Sequence, residues 1–84
     1  MRTKTLTAVE RSIGGTILTQ VAAKHGLKTG VILGPARRVD IVAARWETIS
    51  RLRQEQGWSM PMIGQLMKRH HTSVLHALQA MGIK

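Results

Sequence analysis

The chain has 84 residues, which suits one domain and leaves no room for a deep enzymatic cavity. Its 13 Lys and Arg against 4 Asp and Glu give a formal charge of +9, which points to an anionic partner, either nucleic acid or an anionic membrane surface. The absence of cysteine excludes disulfides and cysteine-ligated zinc, and with Trp46 and Trp58 as the only aromatics, base stacking on single strands is disfavoured against duplex DNA.

No apolar run approaches the roughly 18–20 residues of a membrane span. No continuous apolar stretch follows the basic start Met1-Arg2-Thr3-Lys4. The expectation is therefore a soluble, cytoplasmic protein with no membrane partner. Residues 1–6 are polar and are expected to form a flexible N-terminus, with a single domain from 7 to 84. The arginines lie among apolar residues along the whole chain, which suggests a folded basic surface and not a basic tail.

Thr7-Ala8-Val9-Glu10 has the spacing of a capping box. Val9, Ile13, Ile17 and Val21, widened by Leu18 and Ala22, then recur at helical spacing. Gly14-Gly15 weakens that helix, each glycine costing about 1 kcal/mol relative to alanine, so a start at Thr16 is expected. Gly26 is a stop, and a charged His25 before it suits the helix dipole. Leu27 to Ala36 reads as a connector broken by Gly30, Gly34 and Pro35, with Val31-Ile32-Leu33 as an apolar plug of one helical turn. A long helix is expected from Arg37, with Val39, Val42, Trp46, Ile49 and Leu52 as its stripe and Arg38, Arg45, Arg51 and Arg53 mostly on other faces. It closes at Gly57, and Trp58 plugs the junction beyond.

Ser59 to Met81 carries the functional signal. Ser59 can cap a short helix with Pro61 in its first turn. Ile63, Leu66 and Met67 form its apolar face. Lys68-Arg69-His70-His71 interrupts the period, and Val74, Leu75, Leu78 and Met81 restart it up to Gly82. Two short helices around a polar turn have the layout of a helix-turn-helix, whose second helix enters the major groove, although an ordinary helical hairpin shows the same periodicity. In the helix-turn-helix reading, Arg69, His70, His71, Thr72 and Ser73 would be presented to phosphates or base edges.

The residues also resemble a known family. Met62-Ile63-Gly64 followed by Arg69-His70-His71-Thr72-Ser73-Val74-Leu75-His76-Ala77 is similar to the signature Ile-Gly, then Arg-Asp-His-Thr-Thr-Val-Leu-His-Ala, of the C-terminal DNA-binding domain of the bacterial replication initiator DnaA. Ile17 with Val21-Ala22, Leu33 before Ala36-Arg37, and Ile41 with Ala44-Arg45 resemble its opening helix, basic loop and long helix. The resemblance implies an all-α, compact multi-helix domain that binds double-stranded DNA. It implies Arg37 in the minor groove, Arg69 to Ser73 at the major groove or its flanking phosphates, Thr72 with its methyl against thymine, and a phosphate held near Ser59. With Arg38, Arg45, Lys68 and His76, these form the candidate DNA-binding set. Here the turn is shortened to Lys68-Arg69, and His70 stands where the family has aspartate, so the preferred bases are expected to differ.

No nucleotide-binding Gly-x-x-x-x-Gly-Lys-Ser/Thr motif occurs, so the sequence resembles the reader without its ATPase motor. The four acids are dispersed and no catalytic constellation emerges, so no enzyme, small-molecule substrate or cofactor is expected. His71 and His76 are badly spaced for one helix face, so no metal is expected either. Trp46 and the methionines read as core filling. The role implied is regulation of replication or transcription in a bacterial or phage-infected cell, at the nucleoid, with a homodimer or a replication-protein partner left open. The competing reading is a protein-interaction module that binds an acidic partner or interferes with the host initiator.

Overall fold

The computed structural model describes residues 5–84. The expected flexible N-terminus, 1–6, lies mostly outside them. Leu6, however, is buried at 5% exposure, and its N–H donates to Gln65 Oε1 at 3.1 Å. Among the described residues the secondary structure is entirely helical: α1 (Ala8–His25), α2 (Thr29–Leu33), α3 (Val39–Gln54), α4 (Met60–Met67) and α5 (His71–Ala80). Helix α3 is the central element and touches each of the other four.

The capping box forms. Thr7 Oγ1 accepts from Glu10 N at 3.1 Å, and Glu10 Oε1 accepts from Thr7 N at 2.9 Å. The helix therefore begins at Ala8 and runs through Gly14-Gly15, correcting the expected start at Thr16. Capped N–H groups and the burial of Ile17, Leu18, Val21 and Ala22 outweigh the glycine cost. The two glycines differ. A Cβ on Gly14 would lie 2.6 Å from Leu66 Cδ2 and 2.9 Å from Trp58 Cη2, whereas one on Gly15 would meet nothing within 4 Å. Gly14 is thus the spot where α4 and buried Trp58 reach α1. Val9, on the expected stripe, is instead 69% exposed, because the first turn of α1 overhangs the core. Gly26 ends α1 at φ 66°, and the N–H groups of Gly26 and Leu27 close onto Ala23 O and Ala22 O.

Val31-Ile32-Leu33 does form a helical turn, and Ile32 is fully buried. In α3 the buried face is Ile41, Ala44, Arg45, Thr48, Ile49 and Leu52. Ile49 and Leu52 follow expectation, but Val39 is 87% exposed and Trp46 only half-buried. The true face is turned from the apolar stripe because two polar residues share it, each with its polar atoms satisfied. Thr48 Oγ1 donates to Ala44 O at 2.9 Å. Arg38 is the N-cap, so α3 begins beyond the expected Arg37. At the other side of the core, Met67 is fully buried and Met60, Met62 and Met81 lie half-buried against it, as core filling requires.

A clasp joins the end of α1 to α3. Lys24 Nζ and His25 Nε2 lie 3.1 and 3.0 Å from the Glu47 carboxylate. The bond from His25, assisted by Lys24, holds the Glu47 carboxyl below its ordinary value of 4.5. A depressed folded-state carboxylate contributes stability that is fully present above the ordinary value and is lost as pH falls through the depressed one. In urea titrations, the gap between the parent and Glu47→Gln should be widest near neutral pH and narrow below 4.5. Melting should also separate the two glycines. Gly15→Ala should stabilise by up to about 1 kcal/mol, while Gly14→Ala should lower the melting temperature because the rigid Trp58 ring cannot withdraw.

Candidate nucleic-acid interface

The helix-turn-helix is built by close approach. Ser59 caps α4, its Oγ accepting from Met62 N at 3.4 Å, and Pro61 lies in the first turn, where its missing N–H leaves no bond unmade. Ile63 and Met67 anchor α4 in the core. Gly64 sits under the turn: a Cβ there would be 2.6 Å from Arg69 O. That contact is with backbone, which cannot step aside, so the turn depends on this glycine. Arg69 N–H donates to Gly64 O at 2.9 Å. Lys68, at φ 55°, takes the left-handed conformation that makes the reversal. A lysine held there is strained by roughly 1–2 kcal/mol relative to glycine. Helix α5 is capped by His70, whose Nδ1 accepts from Thr72 N at 3.3 Å. Val74, Ala77 and Leu78 bury the inner face of α5, while His71, Thr72, Ser73 and His76 are exposed.

Two arginines lock this motif to the loop before α3. Arg45 is 7% exposed, and its guanidinium donates to Ile32 O, Gly34 O and Ala36 O, each at 2.9 Å. Arg69 reaches the same loop from the turn, donating to Gly34 O at 2.8 Å and Leu33 O at 3.3 Å, and to Met67 O at 3.4 Å. Both guanidiniums therefore meet at the Gly34 carbonyl. Burial, and for Arg45 also repulsion from Arg69, pushes their pKa values below the ordinary range. Among the described residues neither has an acidic partner within ion-pair distance.

The acids are engaged elsewhere. Asp40 holds Arg38 at 2.8 Å, Glu47 holds Lys24 and His25, Glu55 holds Arg51, and Glu10 belongs to the capping box. The bond with Asp40 raises the Arg38 pKa and lowers that of Asp40. No acid occurs from Gln56 to Lys84. An open cleft of about 510 Å³ between loop and turn is lined by the cations Arg37, Arg45, Lys68 and Arg69, and a second, also of about 510 Å³, by Lys68, Arg69, His70 and His71.

The expected site residues thus divide. Arg37, Lys68, His70, His71, Thr72, Ser73, His76 and Ser59 are exposed, and Arg37 carries no ion pair among the described residues. Arg38 is exposed but paired. Arg69 is half-buried and faces the loop. Arg45 departs from its expected place at the surface, because its guanidinium satisfies three buried-loop carbonyls. Gly34, the acceptor both arginines share, had no sequence signal beyond a loop glycine. Among the described residues no three His, Cys, Asp or Glu gather as a metal site would need, and no helix is long and apolar enough to cross a membrane.

A short helix, a tight turn, and a second helix presenting a polar first turn on an acid-free cationic face define a DNA-binding helix-turn-helix domain. Residues 15–81 match the family described as the bacterial DnaA protein helix-turn-helix, and the chain belongs to that family. It is also similar to the chromosomal replication initiator protein DnaA of Deinococcus radiodurans, with 39% identity over 62 residues. That match covers 74% of this chain but only 13% of the relative's length. No solved structure matches. The family membership supports double-stranded DNA as the partner and gives no support to catalysis.

Arg45→Met should destabilise by about 1–3 kcal/mol by leaving loop carbonyls unpaired, and Arg45→Lys should not restore it, since one ammonium cannot fork to them. Lys68→Gly should do the opposite to the fold. It should raise the denaturation midpoint by relieving the left-handed lysine, while weakening binding to any duplex.

Proposed function

We propose that this domain binds double-stranded DNA with sequence preference, placing α5 in the major groove and the loop arginine Arg37 in the adjacent minor groove, in the service of replication or transcription control. The observation that carries this reading is the arginine-locked junction of the α2–α3 loop with the helix-turn-helix. It holds the exposed Arg37 at a set position relative to the exposed first turn of α5. Phosphate attraction from Lys68, Arg37 and the dispersed cations supplies affinity. Base edges would be read by His70, His71, Thr72, Ser73 and His76. Thr72 is restrained for this role. Its hydroxyl lies 2.7 Å from His70 Nδ1, which fixes the side-chain rotamer and with it the direction of the methyl group. Ser59, already capping α4, keeps its O–H available to a phosphate.

Anisotropy with a labelled duplex at several salt concentrations tests the reading. Log affinity should fall linearly with log salt, at about 0.9 per neutralised phosphate. No binding at low salt, or affinity indifferent to salt, would overturn it, and capture of an acidic protein instead would favour the interaction-module alternative. Thr72→Ser keeps the hydroxyl and deletes only the methyl. It should reduce discrimination at one A·T pair by about 1 kcal/mol while leaving affinity for random duplex unchanged.

A further inference from the structure

We infer that His70 is a specificity-determining residue whose helix-capping role forces it to read bases as a hydrogen-bond donor only. The inference rests on the proposed DNA-binding reading and adds the chemistry of one contact. A backbone N–H can only donate, so the Thr72 N–H directed at His70 Nδ1 at 3.3 Å requires a lone pair on that nitrogen. The Thr72 hydroxyl, 2.7 Å from the same nitrogen, then donates to it as well. A neutral imidazole with an unprotonated Nδ1 carries its hydrogen on Nε2. The ring is restrained by His71, whose centroid lies 4.2 Å away at an interplanar angle of 34°. Nε2 has no partner among the described residues, and His70 is exposed on the wall of the cleft shared with Pro61, Lys68 and Arg69.

The result is an N–H donor at the leading end of α5. In the major groove the guanine edge offers two acceptors, O6 and N7, whereas cytosine offers an amino donor there. Cytosine is the one base with no acceptor on that edge, so His70 rejects it at the base it faces, and guanine, with two acceptors against one each on adenine and thymine, is its best match. Replacing it by aspartate inverts the polarity without removing the cap, because aspartate is a strong N-cap and accepts from Thr72 N in the same way. An aspartate can only accept, so its preferred partner at that base is the cytosine amino group.

Two measurements test this on the intact chain. A long-range proton–nitrogen correlation spectrum of the free protein near neutral pH should show His70 protonated at Nε2 alone. A proton on Nδ1 would overturn the inference. Selection from a random duplex library should yield one position enriched in guanine by the parent and in cytosine by His70→Asp, each change roughly tenfold or more, with the rest of the site the same. Circular dichroism confirms that the variant is folded. Unchanged preference at every position in a variant that still binds would overturn the donor role and leave the proposed function standing. Failure of the parent to bind any duplex would overturn both.

Discussion

The carbonyl of Gly34 is the point on which the arrangement of this domain depends. Arg45 rises to it from the central helix and Arg69 crosses to it from the helix-turn-helix. Two like charges converge because several backbone carbonyls cluster there, part-buried or buried, and a guanidinium has enough donors to satisfy several at once. Without that lock the α2–α3 loop, in which no residue is buried, would be tied down by little beyond the buried Ile32 of the short helix before it. The lock turns guanidinium donors of two arginines onto backbone carbonyls, and it ties down the loop that carries the exposed Arg37.

The helices themselves were legible. The capping box, the glycine stops, the apolar restart at Val74 and the α4 cap all follow from local chemistry that a sequence displays, and they form as expected. What failed to show were features set by tertiary approach. Gly14 looked like a defect in a helix and is a seat for Trp58 and Leu66. Val39 looked like core and overhangs it, because hydropathy cannot register that Arg45 and Thr48 turn inward onto backbone carbonyls. Leu6 lay in a polar leader and closes the core beside α4.

The same division runs through the site. The identities of the exposed residues on α5 were visible because their motif is continuous in the chain. The different fates of the arginines were not, since Arg37, Arg45 and Arg69 are chemically identical and only packing separates an exposed guanidinium from a structural one. The break in apolar period at Lys68-Arg69-His70-His71 was visible too, and the turn lies there. Its mechanical solution, a carbonyl over Gly64 and a left-handed Lys68, belongs to three dimensions.

The confinement of all acids to the stretch before Gln56 gives the domain an opposed response to its ionic surroundings. With no carboxylate in the helix-turn-helix, its cations repel one another across a surface that the free fold must hold together, and dissolved anions relieve that repulsion. Added salt thus steadies the unbound protein even as it competes with a polyanion for the same face. Molecules released from DNA by rising ionic strength enter the solvent in which their own fold is most comfortable, whereas dilution leaves the free form least stable where its hold on a duplex is strongest.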